Sequence, residues 1–110
     1  MNNFKSLFKK KWLRSIGSKE INIEQMKEME KDEVIIIDVR SPQEYNEGHI
    51  YGAISIPEYE IKKRITDVVQ DKERKIIVYC STGMRSKNAQ IQLQKLGYDN
   101  VFNLKDGVII

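Results

Sequence analysis

This 110-residue sequence predicts an α/β domain built on a parallel sheet, and three observations carry that reading. Residues 34–37 and 76–79 are continuous apolar runs, β-branched and aromatic, which suit strands buried on both faces. Segments of helical period separate the candidate strands, so strand and helix alternate along the chain. Helix-start and helix-stop residues mark the joins.

In chain order, Phe4, Leu7, Phe8, Trp12 and Ile16 recur at helical spacing with lysines between them, the pattern of a basic amphipathic helix. Gly17 and Ser18 break it, which divides the chain into an arm over 1–18 and a domain over 19–110. Two destinations suit the arm. Its stripe packs on protein, either this domain or a second copy, or it lies on an anionic membrane surface. Residues 20–23 form a short strand. Asn22, with Gln25 three residues on, gives an N-cap and partial capping box to a short helix with Met26 and Met29 inward. Residues 34–37 form the second strand, ending at Asp38-Val39-Arg40. Ser41, Pro42 and Glu44 supply a cap, a first-turn proline and a reciprocal glutamate, and Gly48 stops that helix within two turns. Residues 53–56 form a third strand, closed by Pro57. Over 58–69, Ile61, Ile65 and Val68 line one face of an amphipathic helix. Residues 76–79 are the fourth strand. The next helical pattern opens at Ser86, aligns Ala89, Leu93 and Leu96, and stops at Gly97. Residues 101–104 are the fifth strand.

The length allows one compact domain with a single modest core. No apolar stretch is long enough to span a bilayer. Nineteen basic residues against 16 acidic ones give +3, but six of the basic residues and none of the acidic ones lie in the first 19 positions. Residues 1–19 therefore carry +6 and the remainder −3. Basic character belongs to the arm rather than to the domain, and nucleic acid is not an expected partner. One cysteine and one histidine exclude an intramolecular disulfide and argue against a zinc site. A lone thiol that must stay reactive suits a reducing cytosol.

That cysteine, Cys80, falls between the end of a strand and the start of a helix, the edge where open α/β sheets bind ligands. Unpaired amides and the dipole at a helix start favour a thiolate and lower its pKa. Gly83 lets the loop turn its amides inward, and Arg85 adds a positive charge. The plain alternative is a buried cysteine acting as a small hydrophobe.

Two motifs stand out: Asp38-Val39-Arg40-Ser41-Pro42-Gln43-Glu44-Tyr45-Asn46-Glu47-Gly48-His49-Ile50-Tyr51-Gly52-Ala53 with Ile56-Pro57, and Cys80-Ser81-Thr82-Gly83-Met84-Arg85-Ser86. Together they resemble rhodanese-like domains. Gly97-Tyr98, Val101 and Leu104 resemble the segment that follows, so the likeness runs over about residues 21–107. The resemblance implies a three-layer fold, a five-stranded parallel sheet with helices on both faces. It implies sulfurtransferase chemistry, with a Cys80 persulfide taking sulfur from thiosulfate or a persulfide donor and passing it to cyanide or an external thiol. No metal or organic cofactor is implied. The amides of Ser81, Thr82, Gly83, Met84, Arg85 and Ser86 would cradle the anion, and Arg85 would attract a sulfonate-like donor. Relatives often carry two glycines and a tryptophan-bearing segment after the last strand. Here Lys105 and Asp106 precede a lone Gly107 and the sequence stops at Ile110, so the closing segment is expected to be missing or short, with the arm covering that face.

Other residues carry two readings each. His49 reads as a scaffold turn residue rather than a base. Asp38 and Arg40 either support the site, with Asp38 orienting the loop, or form local structure with an Arg40–Glu44 pair. Ser86 either touches substrate or caps the helix. Two rival functions stand beside sulfur transfer. Cysteine phosphatases and arsenate reductases need an arginine after five intervening residues, where this chain has Ser86 and places Arg85 one position early. A non-catalytic rhodanese-like docking module is the other.

Overall fold

The computed structural model describes residues 19–109, so the arm expected over 1–18 lies outside the described residues. The elements are β1 (Glu20–Ile21), α1 (Ile23–Met29), β2 (Val34–Asp38), α2 (Pro42–Glu47), β3 (Ile54–Ser55), a 3-10 turn (Glu58–Glu60), α3 (Ile61–Val68), β4 (Lys75–Tyr79), α4 (Met84–Lys95) and β5 (Val101–Leu104). The strands make one parallel sheet of five in the order β1-β5-β4-β2-β3.

Alternation along β4 explains the layers. Ile76, Val78 and Cys80 pack with Ile61 and Ile65 of α3 and with Ala89 and Leu93 of α4. Ile77 and Tyr79 pack instead with Met26 of α1 and with Ile21, Ile36 and Leu104. Successive side chains of a strand point to opposite faces, so one uninterrupted apolar run feeds two cores. Both expected capping boxes form, Asn22 with Gln25 and Ser41 with Glu44.

Four boundaries differ from the sequence reading. The first strand stops at Ile21 rather than 23, because Asn22 caps α1 and Ile23 opens it. Helix α4 begins at Met84 with Gly83 as its N-cap, so Ser86 lies inside the first turn and caps nothing. Gly83 takes φ of 89°, a left-handed turn that brings the chain into the helix early, before any apolar periodicity begins. The helix expected over 58–69 is divided between the 3-10 turn and α3. The third strand shrinks to two residues because it is an edge strand paired only through Ile54 and Ser55 to Ile37 and Asp38.

The strand order places the site. From β2 the chain moves outward to β3, then returns to β4 on the other side of β2 and continues to β5. The order therefore reverses between β2 and β4, and a crevice opens at their C-terminal ends. Asp38 and Tyr79 face each other in register at that point. Arg40 and Cys80 leave the sheet just beyond them.

The packing makes one measurable forecast. Leu93 is fully buried between α4 and the sheet. Leu93→Ala is expected to cost about 2–5 kcal/mol in urea denaturation. A loss below about 1 kcal/mol would contradict the packing of α4 on β4.

Candidate active site

Cys80 is wholly buried. Its Sγ accepts hydrogen bonds from the N–H groups of Gly83 at 3.1 Å and Ser86 at 3.4 Å, and Ser86 Oγ lies 3.4 Å away. Burial pushes the thiol up. Hydrogen bonding from the Ser86 side chain, then from the amides of Ser86, Thr82 and Gly83, outweighs it and holds the pKa below the ordinary cysteine value. The sequence reading credited loop amides, the helix terminus and Arg85. It missed Ser86 Oγ, because a helix expected to open at Ser86 gave that side chain a capping role. Thr82 and Met84 are exposed on the rim, while Gly83 and Ser86 are buried.

The loop is pinned by the chain that follows β5. A Cβ on Gly83 would stand 2.1 Å from the Lys105 carbonyl oxygen, and one on Gly107 would stand 2.1 Å from that of Ser81. Only glycine permits either approach, and both have positive φ. Asn103 Nδ2 donates to the Gly83 carbonyl at 3.2 Å, and the Val108 N–H donates to the Cys80 carbonyl at 3.0 Å. Residues 105–108 thus run against the loop, the short form of the closing segment that the sequence allowed. The lone Gly107 was the one visible signal.

The charged residues sort differently from the sequence reading. Arg40 does not pair with Glu44. It pairs with Asp38, Nη2 to Oδ2 at 2.7 Å and Nε to Oδ1 at 3.0 Å, and both are buried. Arg40 Nη2 also donates to the Gly48 carbonyl at 2.6 Å, and the Tyr79 hydroxyl donates to Asp38 Oδ2 at 2.7 Å. Asp38 therefore supports the sheet edge and the 48–50 turn rather than the cysteine loop directly. Glu44 instead grips Arg85, with Nη1 to Oε1 at 2.7 Å and Nη2 to Oε2 at 3.1 Å. Hydrogen bonding to Glu44 outweighs burial and holds the Arg85 pKa above the ordinary arginine value. Ser81 Oγ donates to Glu44 Oε2 at 3.2 Å. A cleft of about 290 Å³ opens beside these groups, lined by Arg40, Glu44, Glu47, Ser81, Val108 and Ile109. A second cleft, about 330 Å³ between Glu30, Ile35 and Ile54, contains none of them. His49 stacks on Tyr45, with Nδ1 2.8 Å from the Tyr45 carbonyl oxygen, and serves the turn. Among the described residues no three His, Cys, Asp or Glu side chains come together as metal ligands.

A model of the rhodanese-like domain matches residues 22–108. The chain belongs to the rhodanese-like domain family. It is 45% identical over 73 residues to the thiosulfate sulfurtransferase PspE of Escherichia coli strain K12, a match covering 64% of this chain and 70% of that protein. It is 33% identical over 78 residues to a sulfurtransferase of Allochromatium vinosum, covering 71% of each. Among solved structures, a rhodanese with anions from E. coli superposes with a TM-score of 0.64 at 41% identity, over 66% of this chain and 86% of that one. The switch-point cysteine of this rhodanese-like domain is thus Cys80, ringed by donors.

A depressed thiol pKa predicts that alkylation of Cys80 by iodoacetamide levels off at a lower pH than for free cysteine. Ser86→Ala should move that profile to higher pH and slow the reaction at neutral pH by about tenfold, the worth of one hydrogen bond to a charged group. A profile unmoved by Ser86→Ala would remove its side chain from the account.

Proposed function

We propose that this rhodanese-like domain transfers sulfane sulfur through a persulfide on Cys80. The observation that carries the reading is a buried thiol at the sheet switch point whose sulfur faces the Gly83 and Ser86 amides and the Ser86 hydroxyl. Those donors favour the thiolate, the nucleophilic form. The thiolate attacks the outer sulfur of a donor. With thiosulfate, the donor S–S bond breaks with its electron pair on departing sulfite, and Cys80 keeps the sulfur as a persulfide. An acceptor thiolate or cyanide then attacks that outer sulfur, and the Cys80 thiolate leaves. The regenerated thiolate returns to the same donors, which stabilise the leaving group of the second half as they do the nucleophile of the first. Sulfurtransferase relatives and the family match support the same chemistry.

The acceptor comes from outside the chain, because Cys80 is the sole cysteine in the sequence. Oxyanion hydrolysis is the poorer reading, since four residues rather than five separate Cys80 from Arg85 and Glu44 already holds that arginine. The proposal includes a reducing compartment such as the cytosol. It extends to residues 1–16, whose basic apolar stripe serves contact with protein rather than lipid. A chain starting at Ser18 is then expected to melt lower or aggregate. Unchanged melting with loss of binding to anionic vesicles would assign the stripe to a membrane surface.

Intact mass after incubation with excess thiosulfate tests the central claim. The expected result is a gain of one sulfur atom, absent in Cys80→Ser and removed by cyanide as thiocyanate. No gain with thiosulfate or with a small-molecule persulfide would refute sulfur transfer through Cys80.

A further inference from the structure

Glu44 is held from several sides. Ser41 gives its N–H to Oε1 at 3.1 Å and its Oγ–H to the same oxygen at 3.0 Å, and Ser81 Oγ donates to Oε2 at 3.2 Å. The residue is the reciprocal glutamate of the α2 capping box, so the helix start itself aims the carboxylate. What it is aimed at is the whole fork of Arg85, one guanidinium nitrogen to each oxygen. Such fork-to-fork pairing is the geometry by which arginine recognises any two-oxygen anion.

Thiosulfate presents the same kind of group. Its sulfonate needs a cation at the mouth, and the departing sulfite carries two negative charges. Arg85 is the cation of the cysteine loop, where its Nη2 also reaches Oγ of Ser81, the neighbour of Cys80, at 3.5 Å, and its fork is already filled. A carboxylate tethered in position acts at a far higher effective concentration than a dissolved ion can reach. Arg85 and Glu44 side chains are 42% and 32% exposed, so an anion in solution can reach the pair and compete for it. Arg85 holds the Glu44 carboxyl well below the usual carboxylate range, so it is ionised throughout the neutral region. A persulfide donor makes no such demand, because it departs as a thiolate with its charge on one sulfur.

We propose that Glu44 is a specificity-determining residue which, by occupying the Arg85 fork, turns the site away from oxyanion donors such as thiosulfate and toward persulfide donors. The proposal rests on the sulfur-transfer reading above. In the favoured step the Cys80 thiolate attacks the terminal sulfur of R–S–SH. The donor S–S bond breaks, its electron pair leaves on R–S⁻, and the terminal sulfur with its proton remains on Cys80. Nothing is oxidised or reduced beyond this exchange.

Glu44→Gln is the test, since glutamine also serves in a capping box and keeps the helix start intact. The quantity read is kcat/KM for thiosulfate divided by that for the persulfide of 2-mercaptoethanol. We expect the ratio to rise about tenfold in Glu44→Gln, the size of one charged pair released. The rise should vanish when Arg85→Gln is added, because the lock then has nothing to cover. A ratio that stays within about twofold of the parent overturns the proposal, as does a rise that survives Arg85→Gln. If neither donor loads Cys80 in the parent chain, sulfur transfer fails, and the lock is read by sulfite instead. Sulfite should then slow iodoacetamide alkylation of Cys80 more in Glu44→Gln than in the parent. Equal protection in the two overturns the lock as well.

Discussion

The buried Asp38 carboxylate is the constraint on which the rest depends. It sits at the C-terminal end of β2, accepts from the Arg40 backbone and guanidinium and from the Tyr79 hydroxyl, and has no exposure to solvent. Tyr79 in turn accepts the Ile50 N–H at 3.0 Å, and Arg40 reaches the Gly48 carbonyl. One carboxylate thereby joins β2, β4 and the turn after α2 into a single rigid corner. Burial and hydrogen bonding to Asp38 push the Tyr79 phenol well above its usual pKa, so it stays a donor at any ordinary pH. Charges this deep are tolerable only when each has its partner, and removing one leaves the other stranded. The corner therefore holds as a unit, and Cys80 is the first residue after β4.

Much of this was legible in the sequence, and the limit falls along a physical line. Features set by neighbours in the chain were readable: the apolar runs of β2 and β4, both capping boxes, the stop at Gly48 and the place of Cys80. Features set by distant neighbours were not. Glu44 meets Arg85 across 41 positions, and Asn103 meets Gly83 across 20. No local pattern distinguishes the Arg40–Glu44 pair that sequence proximity suggested from the Arg40–Asp38 and Glu44–Arg85 pairs that form. The α4 boundary failed for a related reason. Its first turn carries Met84 and Arg85 outward and Ser86 inward, so it shows no apolar stripe, and the start is set by Gly83 alone.

Electrostatics around the thiol are short-ranged by construction. Arg85 and Arg40, the two guanidinium groups of this corner, each have a carboxylate partner, and the cleft also presents Glu47. What remains for the sulfur is a set of oriented dipoles from the loop and the Ser86 hydroxyl. Dipoles act over a few ångströms and vary little with ionic strength, unlike an exposed charge. The thiolate is thus favoured by its immediate surroundings rather than by a field that gathers anions from solution.

The clamp on the cysteine loop is made largely of backbone. The Lys105 carbonyl presses on Gly83, Gly107 lies against the Ser81 carbonyl, and the Val108 amide bonds the Cys80 carbonyl. Backbone groups are the same whatever side chains the chain carries. The outward side chains of Thr82 and Met84 are consequently free of any part in holding the nucleophile's shape. A lineage descending from this sequence could rewrite that rim, and with it the surface shown to a sulfur donor or acceptor, while the setting of the sulfur stayed fixed. The fold separates the part that must be inherited from the part that can be adapted.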